Sequence, residues 1–81
     1  MTDYSFRGAV DIDRAIGYLV ALDNTQTNAL AVLEIDDAIT ELQSEYEKCT
    51  TDVTYQPHHD LIARLSGYLA MANDQANPKL S

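Results

Sequence analysis

Six residues set the frame for this chain: Val32, Ile35, Ile39, Leu42, Tyr46 and Cys49 recur at alternating spacings of three and four. At about 3.6 residues per turn, that rhythm keeps all six on one side of a helix, as a heptad-type seam facing one packing partner. The spacing predicts a long helix over residues 27–48. Leu30 and Leu33 add apolar surface away from the seam, which predicts deep burial near the helix start. Glu41, Glu45, Glu47 and Lys48 leave a wide wet face towards its end.

Two shorter helices flank it. Over residues 11–22, Ile12, Ile16 and Leu19 share a face with Ala15 and Leu22 beside them, and Asp11 is positioned to cap. A start as early as Ser5 would extend the apolar face through Phe6 and Ala9. The polar run 23–28 stops this pattern and is short enough to predict an antiparallel hairpin. Residues 50–56 are β-branched and polar, but with no second strand to pair with they read as a loop. Pro57 suits the first position of a helix, where its missing N–H is no loss. A third helix over 57–72 then places Leu61, Leu65, Tyr68 and Ala72 on one face, with Ile62 and Leu69 alongside, and residues 73–81 read as a frayed tail. The expected architecture is all-α: a three-helix bundle with a long central helix, in one domain over 1–81. A domain this small is marginal alone, so self-association is expected.

Charge narrows the function. Thirteen acids face five bases, giving a net charge of −8. Between Arg14 and Lys48 there is no base, yet Asp23, Glu34, Asp36, Asp37, Glu41, Glu45 and Glu47 all lie there. Phosphate backbones and anionic membranes repel such a surface, which argues against direct nucleic-acid or membrane binding. A helix-turn-helix DNA reader is disfavoured for the same reason, since the third helix holds only Arg64 as a base. The first ten residues hold Asp3 and Arg7 and no continuous apolar run, so no secretory leader is expected. Cys49 has no second cysteine to pair with, which fits a reducing, cytoplasmic setting.

Few residues invite chemistry. His58, His59 and Asp60, with Cys49 and Asp52 upstream, are metal-ligand types. Adjacent residues on a helix point about 100° apart, and a helix N-terminus disfavours a cation, so no metal is expected. Cys49 continues the apolar seam and reads as a small hydrophobe rather than a nucleophile. No nucleophile elbow or Gly-rich phosphate loop is present, so neither catalysis nor a cofactor is expected.

One recurrence stands out. Ile12-x-Arg14-x-x-Gly17-Tyr18-Leu19 returns as Ile62-x-Arg64-x-x-Gly67-Tyr68-Leu69. Coincidence between amphipathic helices is one reading. Another is that both outer helices pack alike on the central one, with the two glycines marking close approaches. A third makes Arg14, Tyr18, Arg64 and Tyr68 a contact patch.

The function these features suggest is binding another protein, one with a basic surface, as an inhibitor or adaptor that blocks a nucleic-acid-handling partner. Carboxylates one helical turn apart stand ~6 Å from each other, a spacing that imitates alternate phosphates. In size, charge and helicity the chain resembles small phage-encoded inhibitors such as anti-CRISPR proteins, which implies a nucleic-acid mimic. The residues expected at the contact are Glu34, Asp37, Glu41 and Glu45, followed by Tyr18 and Tyr68. The alternative is a homodimeric structural or regulatory module, paired through the seam from Val32 to Cys49, in which the acids only keep the chain soluble.

Overall fold

The computed structural model describes residues 5–76; the side chains of residues 75 and 76 lie outside that description. It is all-α, with three helices: α1 Ala9–Asp23, α2 Ala29–Thr51 and α3 His59–Ala76. No helix among the described residues is long and apolar enough to cross a membrane.

Each start has its own device. Gly8 precedes α1 with φ 77°, a left-handed conformation that a side chain would oppose. Asp11 is not the cap. It is the third helical residue, fully buried, and its carboxylate reaches back to accept from the Arg7 backbone N–H at 3.1 Å. The Arg7 guanidinium adds Nε at 3.2 Å and Nη2 at 3.0 Å, so the buried charge is paired. α2 is capped by Asn28, whose Oδ1 accepts from the N–H groups of Leu30 (2.9 Å) and Ala31 (3.3 Å). Pro57 lies two residues before α3 and is buried. The cap of α3 is His58, whose Nδ1 accepts from the Asp60 N–H at 3.2 Å. At the far end, α3 runs through residues expected to fray, as far as Ala76; residues 77–81 lie outside the described part.

The order of packing differs from the sequence expectation. α1 lies against both α2 and α3, whereas the backbones of α2 and α3 do not approach each other. The middle element is therefore α1, and the longest helix is a flank. The core shows why. α1 supplies Ile12, Ala15, Tyr18 and Leu19; α3 supplies Leu61, Leu65 and Leu69; α2 supplies Leu42 and Cys49. Ile12, Leu42 and Leu65 are fully buried, each stabilising the fold by roughly 1.5–3 kcal/mol.

The start of α2 is correspondingly open. Leu30 is 73% exposed and Leu33 60%, against the deep burial expected of them. With only α1 to lie on, α2 covers one side of itself here, and these two leucines turn the other way. Val32, Ile35 and Ile39 of the seam are half-buried, Tyr46 is exposed, and only Leu42 and Cys49 sink fully.

The glycines do not mark close approaches. A Cβ added at Gly17 or Gly67 would meet nothing within 4 Å. The recurring motif instead repeats a linking role for its arginines. Arg14 donates to Asn73 Oδ1 at 3.0 Å, tying α1 to α3, and Arg64 bridges α3 to Glu41 on α2.

Candidate partner-binding surface

The acids expected at a contact divide into two pairs. Glu41 and Glu45 are already engaged within the chain. Glu41 receives both arms of Arg64, at 2.9 and 3.0 Å, and the guanidinium beside it holds its carboxyl below the ordinary value of 4.5. Glu45 accepts from Lys48 Nζ at 3.2 Å and from the Tyr55 hydroxyl. That hydroxyl is pushed above its ordinary 10.0, first by the hydrogen bond to Glu45, while Glu45 and then Tyr55 raise the Lys48 ammonium.

Glu34 and Asp37 are different. Both are exposed, and among the described residues neither has an ion-pair partner. Helical spacing places them on the same side of α2 as Leu30 and Leu33. The outward face of the first half of α2 is therefore mixed: two exposed leucines beside two carboxylates, with no base on that half of the helix.

Glu34 also borders a groove. Where α2 and α3 diverge, α1 forms a floor from Tyr18, Leu19 and Leu22; Ile35 and Ala38 rise on one side, Tyr68 and Met71 on the other. The space is about 200 Å³. Tyr18 is buried and its hydroxyl donates to Met71 Sδ at 3.7 Å, while Met71 is itself 54% exposed. The two tyrosines of the recurring motif thus meet at one groove, whereas its two arginines serve as helix links outside that lining. A second, wider depression of about 420 Å³, between Glu47, Lys48, Thr51, Asp52 and Tyr55, lies at the other end of α2. Its Asp52 carboxylate is occupied by the Thr54 hydroxyl (2.7 Å) and N–H (3.0 Å), which hold its pKa below 3.8.

Two further clusters take their geometry from the fold. His58, His59 and Asp60 bring one ligand atom each to within 4.8 Å of one another, with the two rings 4.3 Å apart. The 100° spacing expected between the two rings does not hold because His58 stands before the helix as its cap, free of helical geometry. All three are exposed, His58 Nδ1 is used by the Asp60 N–H, and His59 Nε2 sits 3.2 Å from Asp60. Among the described residues no buried group is bonded to their side chains, so we assign them no metal role. At the α1–α2 turn, Asp23 faces Asp36. Burial raises the Asp23 pKa above 3.8, and the hydrogen bond and charge of Asp36 raise it further. The Asp23 Oδ1 is buried without a hydrogen-bond partner. Only the fold reveals this pair, since the two residues sit on different helices.

Compared with known proteins, the chain matches no family model, no curated protein and no solved structure.

Proposed function

We propose that the chain is a small acidic protein-binding module that blocks or adapts a partner with a basic surface, using the outward face of the first half of α2. The observation that carries this reading is the grouping of Leu30, Leu33, Glu34 and Asp37: apolar surface exposed at 73% and 60%, flanked by carboxylates that pair with no base among the described residues. Leucine burial supplies affinity and the carboxylates choose the sign of the partner, a division of labour typical of steered association. A cytoplasmic, phage-type inhibitor of a nucleic-acid-handling enzyme, of the anti-CRISPR or nucleic-acid-mimic kind, is the form of this function that the charge fits best. The contact then centres on Glu34 and Asp37, because Glu41 and Glu45 have intrachain partners to exchange first. The reading involves neither catalysis nor a cofactor.

The test is a pull-down at low and moderate salt with the parent chain and with Glu34→Lys/Asp37→Lys. The expected result is a stoichiometric basic partner that is lost at moderate salt and lost with the variant. Equal capture by the variant would show the reading to be wrong. A homodimer is the second reading, paired through Leu30 and Leu33 rather than through the seam from Val32 to Cys49, whose Leu42 and Cys49 are buried within the chain. It would juxtapose two copies of Glu34 and Asp37 without a counter-charge, and light scattering that finds a monomer at high concentration removes it.

A further inference from the structure

We infer that the groove at the divergence of α2 and α3 is the docking site for an amphipathic helix of the partner, one that inserts an apolar side chain between Tyr68, Met71 and Ile35 and carries Lys or Arg beside it. This rests on the proposed function and deepens it, because Glu34 borders the groove and belongs to the outward face of α2.

Three observations converge. First, the groove exists because α2 and α3 touch α1 but not each other by backbone, which leaves an open trough along α1. Second, its lining is apolar apart from Glu34 and the tyrosine hydroxyls, and Met71 stays 54% exposed over a floor of Tyr18 and Leu22. Methionine is unbranched and polarisable, and it adapts to an incoming side chain with little strain. A trough between two helices suits an amphipathic helix read by residues at helical spacing. Third, charge selects the occupant. Of the exposed apolar residues that a second copy could offer, Val10 stands between Arg7 and Arg14, which Asp11 and Asn73 already hold, while the others come with acids: Leu30 and Leu33 with Glu34 and Asp37, Val20 with Asp23 and Val53 with Asp52. Inserting any of these others into the groove would bring a carboxylate towards Glu34. A segment with flanking Lys or Arg reverses that sign and finds Glu34, and then Asp37, with no ion pair among the described residues.

The experiment uses three synthetic peptides of equal length: a Leu/Lys amphipathic helix, its Leu/Glu counterpart and a Lys/Ser peptide without leucine. Binding is measured by fluorescence anisotropy at low salt. The proteins are the parent, Met71→Asp, Glu34→Lys and Val53→Asp, each first shown by thermal melting to fold. The Leu/Lys peptide is expected to bind the parent, with Met71→Asp and Glu34→Lys each weakening it about tenfold or more and Val53→Asp leaving it unchanged. The Lys/Ser peptide is expected to bind at least about tenfold more weakly than Leu/Lys, and Leu/Glu not at all. If both basic peptides bind equally and Met71→Asp has no effect, the groove is not the site, although the acidic-face reading survives. If neither basic peptide binds the parent, the groove and the acidic face fall together. A parent dimer that Met71→Asp dissociates would fill the groove with a second copy and overturn the inference.

Discussion

Glu41 and Arg64 meet in a two-pronged ion pair, Nη1 to Oε1 at 2.9 Å and Nη2 to Oε2 at 3.0 Å, joining two helices whose backbones do not approach each other. Each side chain is 46% exposed, so solvent screens the pair and its net worth is about 0.5 kcal/mol, up to about 1. A double-mutant cycle with Glu41→Gln and Arg64→Met is expected to return a coupling of that size, shrinking with added salt. Because the pair lowers the Glu41 pKa from 4.5, its contribution is present above that value and disappears as pH falls through the folded-state value below it.

The three glycines are expected to answer alanine in opposite directions. Gly8→Ala forces a side chain into φ 77° and should cost about 1 kcal/mol. Gly17→Ala and Gly67→Ala place a methyl in open space on a helix, and each should stabilise by about 0.5–1 kcal/mol. Urea denaturation of the three single variants checks both signs.

Asp23→Asn should raise the melting temperature at neutral pH. Its folded pKa is raised above 3.8, so the favourable protonated pairing with Asp36 is fully present only below 3.8 and is lost as pH rises through the folded value. An amide of the same shape keeps a donor towards Asp36 at every pH. The gain over the parent is therefore expected to fade as melts are repeated below pH 3.8. A gain that is independent of pH would contradict the raised pKa of Asp23.

Cys49 should be slow to alkylate. It is 8% exposed, and burial, then the Glu45 charge, raises its thiol above the ordinary 9.0. At neutral pH the native chain is expected to react with a thiol reagent roughly tenfold or more slowly than the chain in denaturant. Equal rates would mean that this end of α2 opens readily.

Helix type and number were legible because hydrophobic periodicity is a property of each segment alone. Leu42 and Cys49 fall on the seam and into the core for that reason. The neighbour relation was not legible. The long seam on α2 suggests a central helix, but Ala15 and Gly17 on α1 give no outward sign that α1 carries a partner on two sides. Leu30 and Leu33 mislead in the same way: apolar character alone cannot distinguish a buried residue from one exposed for a contact. Among the acids, sequence spacing could group Glu34, Asp37, Glu41 and Glu45, but only the fold brings Arg64 and Tyr55 to the latter two. The glycine pair failed because a missing side chain permits a close approach without requiring one.

The middle position of α1 has a consequence for synthesis. Of the three helices, the first to leave the ribosome is the last to be fully covered. One side meets α2 across a short turn, but Tyr18 meets Met71 at a separation of 53 residues and Arg14 meets Asn73 at 59. A nascent chain that ends before α3 therefore holds a two-helix hairpin with an oily ridge along α1, a target for chaperones and for its own neighbours on the polysome. Release from that state waits on α3, so slow translation there would lengthen the interval in which this acidic protein is sticky.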